Sequence, residues 1–213
     1  MPFPSAGSTQ SLTADFSGGL LGGGVNFQRY TGEMRAYAPL ALLGGKKPGS
    51  QPLKLVMGLT GRMGALYGNP GGFFQFQQFA LGGVMFGQAL RGYPEFSITP
   101  DGFDPGADQF RASGVNAFGN AFLTMTAELG LRVSQSLYAS AFYDAGNNYR
   151  RPSQINPTRL FRSAGFGVST VTPLGPLGLD LAYGFDRVRR DPSTLRLVPD
   201  PRWQFHFRLG QLF

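Results

Sequence analysis

Hydrophobic and polar residues alternate with a period of two over several long stretches of this chain. The clearest case is its end, where one face carries Trp203, Phe205, Phe207, Leu209 and Phe213. The residues between them are polar or small, namely Arg202, Gln204, His206, Arg208 and Gly210. A helix would bring these charges onto the apolar stripe, whereas successive side chains of a strand point to opposite faces. The pattern therefore predicts a strand with one apolar and one polar face.

Seven further segments show the same alternation, some of them less regularly. They cover residues 9–20, 25–40, 53–63, 123–133, 136–149, 159–172 and 177–186. Several reach ten residues, which exceeds the ~5–6 residues of an ordinary strand and suits a tilted strand that crosses a bilayer. The connections at residues 44–50 and 173–176 are rich in Gly and Pro, as turns are. The sequence thus predicts an all-β, antiparallel membrane β-barrel segment of about eight strands.

Residues 68–116 interrupt this alternation. Loops longer than ~12–15 residues without structure are uncommon in compact domains, and disordered linkers contain few aromatic residues. This stretch has several prolines and glycines, but it also contains Phe73, Phe74, Phe76, Phe79, Phe86, Tyr93 and Phe96. We therefore expect a long loop that folds against another part of the chain.

The composition also fits a barrel wall. Charged residues make up 15% of the 213 residues, below the roughly 25% of soluble domains. No window approaches the ~18 uninterrupted apolar residues of a membrane-spanning helix. A barrel wall explains both the low charge and the absence of a long apolar run, because apolar lipid-facing residues alternate with polar lumen-facing ones. The same alternation keeps the mean hydropathy near zero. The mean hydropathy of this chain is slightly negative.

Several kinds of chemistry are disfavoured by the residues present. The net charge of +7 comes from dispersed rather than clustered basic residues, which argues against nucleic-acid binding. With no Cys and a single His, His206, the sequence offers no plausible metal site or Ser-His-Asp triad. The glycines at 22–24 lack the Lys-Ser/Thr that follows in a P-loop. We expect a non-enzymatic protein without cofactor or metal.

Four motifs, in order along the chain, resemble those of the BamA/TamA superfamily of outer-membrane protein assembly factors. The first is Leu90-Arg91-Gly92-Tyr93, preceded by Phe79-Ala80-Leu81-Gly82-Gly83. The second is the strand sequence Ala141-Phe142-Tyr143-Asp144-Ala145-Gly146-Asn147. The third is Arg162-Ser163-Ala164-Gly165 followed by Thr172-Pro173-Leu174-Gly175-Pro176-Leu177. The fourth is the aromatic-terminated signal at residues 205–213. The first motif departs mildly from the family, which has Val or Ile where this chain has Leu90.

The resemblance implies a specific architecture, in which residues 1–213 form the C-terminal half of a 16-stranded barrel. Residues 68–116 would fold into the lumen, and residues 202–213 would form the terminal strand at the barrel seam. Arg91 would pair with Asp144, and with Glu128 as second partner; strand parity independently points both carboxylates inward. The C-terminal signal and seam residues would be Phe205, Phe207, Leu209, Gly210 and Phe213. Gly210 would weaken the seam because it has no side chain to pack.

The implied function is the insertion and folding of β-barrel proteins in the bacterial outer membrane. Its partners would be the lipid bilayer, nascent barrel substrates, and accessory lipoproteins bound through POTRA domains that this sequence lacks. A TamA-like or two-partner-secretion translocation pore is the alternative, because it shares the fold and the loop motif. A third hypothesis is a small eight-stranded barrel, complete in itself, that binds a ligand or acts as an enzyme.

Two expectations concern the extent of the chain. The N-terminus lacks the basic and apolar regions of a signal peptide, so we expect the sequence to be part of a longer protein. The interior of a closed eight-stranded barrel has room only for its own side chains. The long loop would not fit there. We therefore expect either an open, curved sheet or a small closed barrel with the loop expelled.

Overall fold

The computed structural model describes residues 4–19, 22, 24–44, 52–71, 76–107, 117–134, 136–173 and 175–209. Within these residues, eight strands form one antiparallel sheet: β1 (Gly7–Ser17), β2 (Asn26–Leu43), β3 (Leu53–Asn69), β6 (Ala121–Arg132), β7 (Leu137–Tyr149), β8 (Phe161–Thr172), β9 (Gly175–Gly184) and β12 (Arg202–Leu209). Two small hairpins lie in the connections, formed by β4 (Ile98–Thr99) with β5 (Gly102–Phe103), and by β10 (Val188–Arg190) with β11 (Leu197–Pro199). A short 3-10 helix spans Pro152–Gln154.

The eight strands are ordered β1-β2-β3-β6-β7-β8-β9-β12, so neighbours in the sheet are also successive long strands of the chain. The predicted all-β architecture of about eight strands is confirmed. The sheet is open, with β1 and β12 at its two edges, which is one of the two outcomes expected from the size of the loop. No helix in the described ranges is long and apolar enough to span a membrane.

The strands have one apolar and one polar face, as their period-two pattern predicts. In β12, the apolar residues Trp203, Phe205, Phe207 and Leu209 are about half exposed, at 45–58%. The polar residues His206 and Arg208 between them are buried. An apolar, outward-facing surface is what the wall of a membrane barrel presents to lipid. The predicted register of the last strand is therefore confirmed over its described part.

The connection between β3 and β6 folds back over the polar face of the sheet. Strand β3 continues to Asn69, slightly beyond the predicted start of the loop at residue 68. The loop buries its own apolar cluster of Leu81, Leu90, Tyr93 and Ile98, with Phe103 and Phe161 packed against it. The Asn148 side chain on β7 donates hydrogen bonds to the carbonyls of Phe79 (3.0 Å) and Ala117 (2.9 Å). Because buried backbone carbonyls need partners, this amide fastens both ends of the loop to the wall.

Candidate functional site

The tip of the long loop, Leu90-Arg91-Gly92-Tyr93, lies against the polar face of β6 to β9 and β12. Leu90 and Tyr93 are almost fully buried in the apolar cluster of the loop. The Tyr93 hydroxyl donates to the carbonyl of Arg162 (2.7 Å) and accepts the backbone N–H of Asp186 (3.2 Å). A buried hydroxyl that both donates and accepts holds its ring in one orientation. Tyr93 thus fixes the loop tip between the ends of β8 and β9.

Arg91 extends from this tip to the carboxylates of the inner wall. Its Nε lies 2.6 Å from Oδ2 of Asp144, and its Nη2 lies 2.8 Å from Oδ1 of the same side chain. Two parallel hydrogen bonds of this kind are the strongest arrangement of a guanidinium with a carboxylate. Nη1 lies 3.4 Å from Oε2 of Glu128 and 3.7 Å from Oδ1 of Asp180. The structure therefore brings Arg91 together with both carboxylates expected from the sequence, and with a third.

The surroundings of Arg91 are shielded from water. Arg91 is 7% exposed, Asp144 is 4% exposed, and Asp180 is fully buried. The guanidinium carbon lies 3.3 Å from the centre of the Phe142 ring, in a cation–π contact. Burial alone would lower the pKa of Arg91, but attraction from Asp144, Glu128 and Asp180 raises this pKa above its ordinary value. Arg91 is therefore permanently charged, and its charge is matched within the site.

The neighbouring carboxylates have further donors. Thr126 donates to Oδ1 of Asp144 (2.9 Å), and Tyr138 donates to Oε1 of Glu128 (2.9 Å). Arg208 on β12 binds Asp180 through Nε (2.6 Å) and Nη2 (3.1 Å). Two guanidinium groups and three carboxylates thus form one connected network across β6, β7, β9 and β12. Networks of this kind resist rearrangement, because displacing one member leaves a buried charge unpaired.

Gly92 fits where no other residue would. Its φ of +87° is in the left-handed region, and a Cβ there would lie 2.9 Å from Cβ of Ser163 and 3.1 Å from the nitrogen of Gly184. The close approach lets its N–H donate to Nε2 of His206 (2.8 Å), and its carbonyl accepts from Nη1 of Arg187 (3.3 Å). His206 belongs to β12. The loop tip is therefore bonded directly to the last strand of the sheet.

Three of the remaining predicted residues lie on the other side of the wall. Phe205, Phe207 and Leu209 are on the apolar face of β12, so they do not contact the Arg91 network. Gly210 and Phe213 lie outside the residues that the structure describes. The role of all five as a C-terminal signal and seam stays a prediction.

Sequence reasoning missed several residues of this site. Asp180, Phe142 and Arg187 were not identified as partners of Arg91, and His206 was placed only on the polar face of the last strand. The inward parity of Asp180 was visible in the alternation of Leu177, Leu179 and Leu181 with polar residues. Its contact with Arg91 was not visible, because the alternation determines which face of the sheet a residue occupies and not which residues of other strands lie beside it.

The chemistry of the site is that of a clamp. Among the described residues, no group of three or more His, Cys, Asp and Glu side chains is arranged to hold a metal ion. Beside the clamp lies a polar cavity of about 570 Å³, whose lining includes Thr13, Arg29, Glu33, Arg62, Arg91 and Arg208. Arg29 and Glu33 of β2 and Arg62 of β3 therefore face the loop across an open, polar lumen.

An open antiparallel sheet with an apolar outer face, and an arginine loop clamped to its inner face, defines the chain as a wall segment of a membrane β-barrel. The Omp85 superfamily domain matches residues 1–213, and the chain belongs to this superfamily. It is therefore a protein of the bacterial outer membrane. The matched proteins are assembly or translocation factors rather than enzymes.

Two similar proteins illustrate the relationship. The outer membrane protein assembly factor BamA of Nitratidesulfovibrio vulgaris is 28% identical over 213 residues, which cover 99% of this chain and 23% of that protein. The crystal structure of BamA from Haemophilus ducreyi lacking POTRA domains 1–3 is 20% identical, with a TM-score of 0.62. The match covers 97% of this chain and 39% of that structure. The chain thus spans about a quarter of its curated relative, and the likeness to the crystal structure concerns the fold.

Proposed function

We propose that this chain is the C-terminal wall of an outer-membrane protein assembly factor, which folds β-barrel proteins and inserts them into the outer membrane. The observation that carries the proposal is the bond from Gly92 to His206, which attaches the clamped loop to the edge strand β12. Similarity to BamA over almost the whole chain supports the same function. Leu90, Arg91, Gly92 and Tyr93 would be the functional loop, with Asp144 and Glu128 as its lumenal partners.

The mechanism follows from the hydrogen bonding of β12. Among the described strands, β12 pairs only with β9, and we infer that its other side lies at the barrel seam, which opens to another strand. Unpaired backbone groups in hydrocarbon cost several kcal/mol each. A strand of a folding substrate would relieve this cost by pairing with the edge, as in β-augmentation. The bonds of His206 and Arg208 would hold the inner face of β12 in place while the seam opens.

The partners follow from the same proposal. Nascent β-barrel proteins would be the substrates, and the apolar outer face of the sheet would contact the lipid bilayer. Accessory lipoproteins, recruited through POTRA domains, stay a prediction from the family resemblance.

Reconstitution into liposomes tests the proposal. We expect the full-length protein to accelerate the folding of an unfolded barrel substrate, followed by the shift in gel mobility between boiled and unboiled samples. Liposomes with an unrelated barrel of similar size serve as the control. Steady pore conductance without any acceleration of folding would contradict the proposal and indicate a translocation pore of the TamA-like or two-partner-secretion type.

A further inference from the structure

The dispersed distribution of basic residues expected from the sequence was wrong, because nearly all of the net positive charge of the chain lies on two segments at one end of the sheet. Residues 150–162 and 185–202 together contain nine arginines and three aspartates, a net charge of +6, against +7 for the whole chain. We call these two segments the basic rim. They connect β7 to β8 and β9 to β12, at the same end as the long loop. In membrane barrels the long loops are external and the short turns are periplasmic, so the basic rim lies at the external surface.

Most of these arginines are not neutralised. Arg150, Arg162 and Arg202 form ion pairs with Asp101, Asp186 and Asp200, and Arg187 is buried against the loop. The other five are exposed, and none forms an ion pair with another residue in the described part of the chain: Arg151, Arg159, Arg189, Arg190 and Arg196. Exposed, uncompensated guanidinium groups at this density indicate an anionic ligand.

An apolar cleft lies next to the basic rim on the lipid-facing side of the sheet. Its volume is about 570 Å³, and we call it the aromatic cleft, with the lining residues Ala141, Ala164, Phe166, Tyr183, Phe185 and Trp203. The ring of Tyr183 lies 5.3 Å from that of Trp203 and 5.5 Å from that of Phe185. The small side chains of Ala141 and Ala164 leave space between these rings. Arg162 stands two residues from Ala164 on the same face of β8, which is roughly 7 Å away.

We propose that the basic rim and the aromatic cleft together bind an anionic, phosphate-bearing lipid of the outer leaflet. One acyl chain occupies the aromatic cleft, and the phosphate lies among the arginines of the basic rim. A lipid is the occupant because the cleft opens toward the hydrocarbon while the charge lies at the level of the headgroups. Guanidinium groups match phosphate oxygens with two parallel hydrogen bonds. Each basic residue near a membrane surface raises the affinity for anionic lipid about fivefold.

Trp203 provides the test, because it is the single tryptophan of this chain and it lines the cleft. The full-length protein is reconstituted with brominated phosphatidylglycerol or brominated phosphatidylcholine, whose bromine atoms quench tryptophan on contact. The fluorescence of Trp203 is isolated by subtraction of the Trp203→Phe variant. We expect quenching by both lipids, with a relative binding constant at least about fivefold higher for the anionic one.

Three changes distinguish binding at the proposed site from nonspecific attraction between a basic protein and an anionic bilayer. Replacing Arg159, Arg189 and Arg190 by Gln should lower the ratio of the binding constants of the anionic and zwitterionic lipids severalfold, and each single replacement should lower this ratio in part. Lys54→Gln, an exposed residue near the opposite end of the sheet, should leave the preference unchanged. Inorganic phosphate should not abolish it at a matched ionic strength. Three results would each overturn the proposal. They are equal quenching by both lipids, an unchanged preference for the anionic lipid after the three arginines are replaced, and loss of that preference when free phosphate is added.

Discussion

The backbone N–H of Gly92 donates a hydrogen bond of 2.8 Å to Nε2 of His206, across 114 positions of sequence. This bond joins the tip of the long loop to the strand at the edge of the sheet. It forms because Gly92 has no side chain, so its backbone can approach the wall closely. The Arg91 network and the β12 edge are thereby parts of one hydrogen-bonded unit. A change in either should be transmitted to the other.

We expect His206→Ala to loosen the attachment of β12 to the loop. The substitution leaves the Gly92 N–H buried without an acceptor, which costs about 1–3 kcal/mol. Hydrogen–deuterium exchange of the full-length protein should become faster at Gly92 and along β12. His206→Gln offers a side-chain oxygen as a replacement acceptor, and should therefore show a smaller change. Unchanged exchange in both variants would show that the bond does not hold the strand.

Removal of the guanidinium group at Arg91 should strongly destabilise the barrel. Arg91→Ala leaves Asp144 and its neighbours as buried, uncompensated charges, which costs about 3–5 kcal/mol. Arg150→Ala is the matched control, because Arg150 pairs with Asp101 in solvent. The temperature at which the folded band disappears on gels should fall for Arg91→Ala and stay near the parent value for Arg150→Ala. Equal losses in the two variants would refute the clamp.

The backbone of Gly92 allows a sharper steric test. Gly92→Ala introduces a Cβ that would lie 2.9 Å from Cβ of Ser163. Gly102→Ala introduces a Cβ whose nearest neighbour would be Cζ of Phe161, at 4.0 Å. Both glycines have positive φ, so both variants carry a backbone strain of roughly 1–3 kcal/mol. Only Gly92→Ala should push the loop tip from the wall. Proteolysis of residues 76–107 should accelerate in that variant alone, and equal cleavage would mean that close packing at Gly92 is unimportant.

The register of the last strand can be tested in lipid. A spin label at Phe205 should respond to a lipid-soluble relaxation agent, and a label at Gln204 should not. The reason is that the side chains of neighbouring residues leave opposite faces of a strand. The reverse result would shift β12 by one residue and turn every side chain to the other face.

The period-two pattern was sufficient to predict the strands and their faces, because one face must meet lipid and the other must not. The inward direction of Asp144 and Glu128 followed from the same rule. The contact of Asp180 with Arg91 did not follow from this rule. It depends on the register between β7, β8 and β9, and turns and backbone hydrogen bonds determine that register. The two-residue strands β4 and β5 are too short for any alternation to show. The fit of Gly92 against Ser163 likewise depends on how the loop packs.

We propose that the clamped loop makes the edge strand competent to assist folding, and the rate of substrate folding tests this role most directly. Liposomes containing the full-length protein, its Arg91→Ala variant or its Arg150→Ala variant are compared at equal amounts of folded protein, with an unfolded barrel as substrate. We predict equal acceleration by the parent and Arg150→Ala, and a rate close to that of protein-free liposomes for Arg91→Ala. Full acceleration by a folded Arg91→Ala variant would contradict the account.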